Sequence, residues 1–343
     1  MKIEKENIKK VLVIKFGGIG DVLLSTPVLP NLKKYFPDAE IHFLTHSSCR
    51  EIFIDNPYIT RYYTYNFGEP DSKRLLKSMR EKEFDLIIDL YGNPRSASIT
   101  FFSKAKYRVG YNFRNRKYAY NIIVEAKNNN EHNVEFNLDS LREMEIPIES
   151  KELSFYINDS HKHFADDFIN SNNIGKKDIF GIVISGGWET KKYKAKDYTE
   201  LIKKIKEKFD VNFLLIWGVE KERKECEEIK NGTGDYVFIS PQTALKYSYA
   251  LMEKCKLLIG NDSGLLHLSV ASGVPVLGIY GPTNPVSQGP FGEKNLYVRH
   301  EKLDCLNCNL LECKIGNICM TELPKELIVK KIEILNNREK IMG

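Results

Sequence analysis

The chain has 343 residues, 51 Lys and Arg against 46 Asp and Glu, and a hydrophobic content of 42%. That length suits two domains with sizeable cores, and a net charge of +5 permits contact with an anionic substrate or a membrane surface without the dense basic footprint of a nucleic-acid binder. No apolar stretch approaches the length of a membrane span, and the opening MKIEKENIKK lacks the apolar segment of a secretory leader, so the expectation is a cytoplasmic chain with reduced cysteines.

Strand and helix patterns alternate from the start. Val11–Phe16 is an apolar, β-branched run that reads as a buried strand, followed by a helix over Asp21–Tyr35 that stops near Pro37. Short strands are expected at Ile41–Leu44, Asp85–Leu90, Arg108–Gly110 and Ile122–Val124, with helices at Asp71–Lys82 and Leu138–Met144. The polar stretch from Asn158 to Asp178 holds a short amphipathic helix and a break, and is the expected domain boundary. A second series follows. Strands are expected at Ile179–Ser185, Asn212–Trp217, Tyr236–Ile239, Leu257–Gly260 and Val274–Tyr280, with helices at Tyr198–Lys208, Lys221–Lys230, Thr243–Lys254 and Leu265–Ala271. Such alternation predicts α/β architecture, with two doubly wound parallel sheets facing one another across a cleft. The expected division is 1–160, then 175–325, with a C-terminal helical segment 326–343 packing back on the first domain.

Two strand-to-helix turns are rich in glycine. In Lys15-Phe16-Gly17-Gly18-Ile19-Gly20-Asp21, the glycines at 17, 18 and 20 let a substrate come close to the backbone. The spacing is not the dinucleotide fingerprint G-x-G-x-x-G, which argues against an NAD-linked oxidoreductase. Asp21 sits where a helix dipole favours an anion. A capping role accounts for an Asp there but not for three glycines clearing space beside it.

The second turn, Asn261-Asp262-Ser263-Gly264, joins the strand at Leu257 to the helix at Leu265. Free backbone N–H groups at such a helix start attract phosphate. Asp262 and Ser263 are also good helix caps, and His267 lies one turn further on. Two more segments end strands of the same half. Ser185–Tyr193 contributes Gly186, Gly187, Lys191 and Lys192, whose backbone donors and cations suit a diphosphate. Trp217–Glu220 contributes Glu220, either an acceptor for ribose hydroxyls or an ordinary acid at a helix start.

Cys305, Cys308, Cys313 and Cys319 form C-x2-C-x4-C-x5-C. Four thiols this close are compatible with a structural zinc or iron–sulfur site, with free thiols or with disulfides, and the spacing is not the common two-pair zinc pattern. Cys49, Cys226 and Cys255 have no partner nearby in sequence and read as packing residues.

Taken in order, these segments resemble the ADP-heptose:lipopolysaccharide heptosyltransferases of glycosyltransferase family nine. The resemblance runs over nearly the whole chain. It is carried by IKFGGIGDVLLSTPVLPNLKKYFP, by GNDSGLLHLSVASGVPVLGIYGPTNP, by DLIIDLYGNPRSA, by the His132-Asn133-Val134-Glu135 segment and by the Cys-rich tail closing on Cys319-Met320. It implies a GT-B fold with the acceptor held by the first domain and the nucleotide sugar by the second. It also implies an inverting transfer that requires no metal. Asp21 would be the general base, Lys191 the lysine on the donor phosphate, Glu220 the acid on the ribose and Thr243 a lining residue of the adenine pocket. Asp262, Ser263, Gly264 and His267 match the D-[TS]-G-x-x-H turn that holds diphosphate and sugar. This chain departs from the family at Lys191-Lys192-Tyr193-Lys194, where relatives often have Lys-x-Trp-Pro, and at Gly186-Gly187, where some carry hydroxyl residues.

The implied partners are ADP-heptose and a lipid A-Kdo acceptor, with peripheral contact at the cytoplasmic face of the inner membrane and no nucleic acid. Gly18 and Gly20 border the acceptor. Arg95, Arg108, Arg114 and Arg116 lie in a basic, aromatic stretch suited to anionic sugars. The alternatives are a transferase of the same fold using another nucleotide sugar for O-antigen or surface glycan, and a non-catalytic nucleotide-sugar-binding protein.

Overall fold

A computed structural model describes residues 3–66, 72–113, 115–125 and 131–341. The chain divides into two units, Met1–Tyr156 and Ile157–Gly343.

The first unit is built on six parallel strands, β1 (Lys10–Ile14), β2 (Glu40–His46), β3 (Arg61–Tyr65), β4 (Leu86–Asp89), β5 (Tyr107–Tyr111) and β6 (Ile122–Val124), in the order β3-β2-β1-β4-β5-β6. β1 pairs with β2 on one side and β4 on the other, with Ile14 level with Leu44 and Asp89. The chain winds outward through β2 and β3 and then crosses back to β4, so the winding direction reverses between β1 and β4. In open α/β sheets the crevice at the C-terminal ends of such strands is where ligands bind. The helices are α1 (Ile19–Leu23), α2 (Val28–Tyr35), α3 (Ser72–Glu81), α4 (Pro94–Phe102) and α5 (Asn133–Arg142). Leu12, Ile14, Phe16, Leu44 and Ile87 are buried together with Met79 of α3 and Ile99 of α4.

The single helix expected over Asp21–Tyr35 is two. Pro27 cannot continue α1, and the Ser25 and Thr26 hydroxyls donate to the carbonyls of Val22 and Leu23 at 2.7 Å each, closing the first helix. β3, with its sequence RYYTY, is a partly exposed edge strand that the hydrophobic pattern does not pick out. α4 carries a start signal in the sequence outside the hydrophobic pattern: Asn93 and Ser96 cap each other's backbone, and Pro94 opens the first turn.

The second unit repeats the plan. It begins with α6 (Asp159–Ser171) and continues through β7 (Ile179–Val183), α7 (Ala195–Lys208), β8 (Asn212–Ile216), α8 (Glu220–Thr233), β9 (Val237–Ile239), α9 (Leu245–Met252), β10 (Leu257–Asn261), α10 (Gly264–Ala271), β11 (Val276–Tyr280), α11 (Pro285–Gln288), β12 (Leu296–Arg299), α12 (Ile318–Thr321) and α13 (Lys325–Glu339). The parallel sheet runs β12-β11-β10-β7-β8-β9, and its reversal lies between β7 and β10. β12 is a second edge strand that the sequence pattern did not reveal.

α13 packs against α7 and β12, and its Ile328, Val329, Ile332 and Leu335 enter the core of the second unit. Lys325 bridges to Asp197 at 3.2 Å and Glu200 at 2.9 Å, fastening the helix to α7. The apolar face of α13, in the segment 326–343 expected to pack back on the first domain, is used within the second unit. No helix among the described residues is long and apolar enough to cross a membrane.

Candidate active site

In the first unit the reversal point brings together the loops that follow β1 and β4. Asp21 is the third residue of α1 and is exposed. Its Oδ2 accepts from the Gly18 N–H at 3.0 Å, so the capping role is real. Gly17 has φ +120, and a Cβ there would stand 2.8 Å from Asp21 Oδ2. A side chain at 17 would therefore be strained and would strike the carboxylate. Gly18 is the N-cap of α1 and Gly20 is buried within it.

Two residues that sequence reasoning missed hold this edge in place. Lys15 Nζ donates to the Leu90 carbonyl at 3.0 Å and to Asn137 Oδ1 at 3.2 Å, tying the β1 loop to the β4 loop. Burial pushes its ammonium below the usual lysine range, against the opposing pull of the Asp21 and Asp89 charges. Asp89, at the end of β4, is fully buried. Burial raises its carboxyl, while the amides of Gly92 and Tyr91 (2.9 and 3.0 Å) and the Tyr120 hydroxyl (2.7 Å) work to keep it ionised. The visible signal for both was a charged residue ending an otherwise apolar strand.

The arginines serve different purposes. Arg116 Nε donates to the Gly92 carbonyl at 2.7 Å and braces the β4 loop. The Arg95 guanidinium lies 4.8 Å over the Tyr65 ring. Arg108 donates to the carbonyls of Ala119 and Ala105 at 3.0 and 2.7 Å, within its own unit's framework. Arg114 lies outside the described residues.

In the second unit the reversal point brings together the loops after β7 and β10, and these carry Lys191 and Asp262. Lys191 Nζ meets Asp262 Oδ2 at 2.7 Å, with the two side chains 12% and 5% exposed. Thr283 Oγ1, from the turn after β11, donates to the same oxygen at 2.7 Å. The Lys191 ammonium also lies 4.3 Å from the Trp188 ring centre, a cation–π contact. Gly186 is crowded, since a Cβ would come within 2.7 Å of Lys192 Cγ, whereas nothing lies within 4 Å of a Cβ at Gly187. The backbone at 187 is therefore open to an approaching group. Lys192 turns inward to Glu225 at 3.2 Å, leaving Lys191 as the member of the pair on the site.

Asn261 organises these loops and was not singled out by its sequence. Its Oδ1 accepts from the Tyr193 N–H and the Tyr198 hydroxyl, and its Nδ2 donates to the Ile184 carbonyl, all at 3.0 Å. Ser263 caps α10 by accepting from Leu266 N–H at 3.3 Å, Gly264 is the first residue of that helix, and His267 is buried one turn in. Glu220 is exposed and pairs with Arg223 at 3.4 Å. Its neighbour Glu222 does the local structural work, accepting from the N–H groups of Gly218 and Val219 at 2.8 and 3.2 Å. Thr243 shares a hydrogen bond with Ser248 at 2.8 Å.

A glycosyltransferase family 9 (heptosyltransferase) model matches residues 72–319, which include both β4 and the Lys191–Asp262 pair. The chain belongs to this family. It is 25% identical over 295 residues to a lipopolysaccharide heptosyltransferase 1 of Campylobacter coli, an alignment that spans 80% of this chain and 84% of the relative. Among solved structures it is similar to a family 9 glycosyl transferase of Veillonella parvula (TM-score 0.81, 21% identity, 96% and 97% of the two chains). It is also similar to the ADP-heptose lps heptosyltransferase II of E. coli (TM-score 0.75, 20% identity, 96% and 99%). Both structural likenesses bear on the fold, which is GT-B with two Rossmann-like domains. As a family 9 glycosyltransferase the chain is an enzyme of group transfer.

The four clustered cysteines of this glycosyltransferase line one cavity of about 190 Å³, together with Thr190, Pro282 and Asn317. All are unpaired thiols: Cys305 and Cys308 exposed, Cys313 half-buried, Cys319 buried. Burial, and then the nearness of the other three, push the Cys319 thiol up to about 11. Among the described residues no three His, Cys, Asp or Glu side chains stand close enough to grip an ion.

Proposed function

We propose that this family 9 enzyme moves a heptosyl group from ADP-heptose to the inner core of lipopolysaccharide, by an inverting displacement in which Asp21 is the base. The observation that carries the reading is the Lys191–Asp262–Thr283 constellation at the reversal point of the second sheet, beside the open backbone at Gly187. The names of the relatives, lipopolysaccharide heptosyltransferases and an ADP-heptose enzyme, support the choice of donor and acceptor.

In this reading Asp21 takes the proton of the acceptor hydroxyl as its oxygen attacks the anomeric carbon. The bond from that carbon to the β-phosphate oxygen breaks, and ADP departs with the electron pair. Lys191, the backbone at Gly186 and Gly187 and the start of α10 at Gly264 stabilise the leaving phosphate. Asp262, Ser263 and His267 hold the diphosphate and sugar, Glu220 the ribose and Thr243 the adenine side. Gly18, Gly20, Arg95, Arg114 and Arg116 serve an anionic lipid A-Kdo or heptosyl acceptor, while Arg108 contributes through the framework of β5. The protein works from the cytoplasm at the inner membrane by peripheral contact. In this reading transfer itself uses no metal, because Lys191 and the backbone N–H groups supply the stabilisation of the leaving phosphate.

Transfer assays with ADP-heptose, UDP-sugars and other ADP-sugars on defined Kdo-lipid A and heptosyl-Kdo-lipid A test the reading. Turnover with ADP-heptose and an inverted anomeric configuration is expected. Preference for a different nucleotide sugar would overturn the donor assignment.

A further inference from the structure

α4 turns a face of mostly small residues inward. Its Ser96, Ala97, Ile99 and Thr100 are buried, and Ile99 joins the core of the first unit. The last turn then carries two phenylalanines that this core does not take up: Phe101 and Phe102 are 44% and 51% exposed. The short turn Lys117–Ala119 packs against α4. Ala119 and Tyr120 are its buried anchors, clustered with Ala97, while Tyr118 stands 57% exposed. The three outward rings meet one another. The Phe101 ring centre lies 5.3 Å from that of Phe102 and 5.7 Å from that of Tyr118, with interplanar angles of 82° and 72°. A single exposed apolar residue needs no cause, but three large rings gathered from two elements form a patch, and such patches mark interaction surfaces.

The charge around the rings is of one sign. From Leu90 to Val124 the chain has seven Lys and Arg and no Asp or Glu. Arg95, Arg108 and Arg116 are held over the Tyr65 ring or on backbone carbonyls, and Lys106 pairs with Glu4 at 2.7 Å. Lys104 and Lys117, close in sequence to Phe102 and Tyr118, are exposed and enter no ion pair among the described residues. Lys104 stands at φ 63 just past α4, where glycine or asparagine is the usual choice. Aromatic rings sit at the headgroup level of a bilayer, and lysines beside them are drawn to anionic lipid. A second copy of this chain, seated on the patch about a two-fold axis, would instead bring the same cations against themselves.

We propose that Phe101, Phe102 and Tyr118, with Lys104 and Lys117, form the surface by which the first unit docks on an anionic lipid bilayer. The rings enter the interfacial layer and the two ammonium groups pair with lipid phosphates. This gives the peripheral contact of the proposed function a place on the molecule; it rests on that reading for the whereabouts of the acceptor, not for the donor or the base. The patch lies at the far end of α4 from the β4 loop, roughly 12 Å along the helix, so docking leaves that loop uncovered.

The test is flotation of the full chain with vesicles of phosphatidylcholine alone and of a phosphatidylcholine–phosphatidylglycerol mixture, beside size-exclusion chromatography of the protein without lipid. Wild type is expected to float with the anionic vesicles at low salt and less as salt rises. Phe101→Ser/Phe102→Ser should lower its partition about tenfold or more, and Lys104→Gln/Lys117→Gln about fivefold per lysine at low salt. Neither variant touches a residue assigned to donor or acceptor, so their unfolding transitions and ADP affinity should match wild type. Wild type that floats with neither vesicle, that binds neutral vesicles as well as anionic ones, or that binds no better than Phe101→Ser/Phe102→Ser would overturn the surface. Dimeric wild type beside a monomeric serine variant, with no vesicle bound by either, would give the patch to a second copy and overturn the lipid assignment. The expected flotation pattern from a protein that does not turn over ADP-heptose would support the surface and count only against the donor assignment.

Discussion

Replacing Lys191 with methionine keeps the length of the side chain and removes its charge. At 2.7 Å from Asp262 Oδ2 the gross attraction is about 6 kcal/mol with an effective dielectric of 20. With the side chains only 12% and 5% exposed, solvent screens this pair little. Removing one partner of a buried pair costs about 3–5 kcal/mol, because the other charge is stranded. Here Thr283 continues to donate to the same carboxylate oxygen, so the loss should fall nearer 2–3 kcal/mol. The double variant Lys191→Met/Asp262→Asn strands no charge and should be less destabilised than the sum of the two single variants. Denaturant unfolding of all four proteins closes that cycle. If Lys191 holds the donor phosphate as proposed, Lys191→Met alone also removes a charge-assisted contact worth about 1.5–3 kcal/mol, a roughly 10- to 150-fold rise in the Kd for ADP. Calorimetric titration at a temperature where the variant stays folded reads this directly. A folded Lys191→Met protein that binds ADP within twofold of wild type would refute the assignment of Lys191 to the phosphate.

Neighbouring acids on α8 should separate. Glu222→Ala leaves the N–H groups of Gly218 and Val219 without their acceptor and should cost about 1–3 kcal/mol in urea unfolding. Glu220→Ala should alter stability by less than about 0.5 kcal/mol yet weaken ADP binding. Equal effects of the two on ADP affinity would reject the ribose contact. In the first unit, burial works to raise the Glu135 carboxyl, but hydrogen bonds from Lys151 and Arg142 hold it below the usual 4.5. A carboxyl held low in the folded state adds stability that is present above the unfolded value and is lost as the pH falls through the folded one. Stability below pH 4.5 should therefore decline less steeply in Glu135→Gln than in wild type; parallel curves would contradict this.

The sheets were legible because buried parallel strands are continuous apolar runs. β1, β4, β8 and β10 stand out in this way, and each glycine-rich turn follows one of them. The edge strands β3 and β12 were hidden because partial exposure erases that signal. Motif residues such as Asp21, Lys191 and Asp262 could be named from the sequence because their turns are local. Lys15 and Asn261 could not, since their roles arise from contacts across the reversal point of each sheet, and Asp89 and Thr283 could not because they act through the Tyr120 hydroxyl and the Asp262 carboxylate, partners distant in the chain. The helical segment at the C-terminus was recognisable, but its packing partner depends on the apolar face presented by α7 and β12.

The central claim is that Asp21 performs the proton transfer while the second unit holds the donor. Its most direct test is single-turnover transfer by Asp21→Asn, measured beside the affinity of the same protein for ADP. Asparagine still accepts from the Gly18 N–H, so the cap is retained while the base is lost. The account predicts a rate lower by about 10²- to 10⁴-fold with an unchanged Kd for ADP. A folded Asp21→Asn protein that transfers at close to the wild-type rate would contradict it.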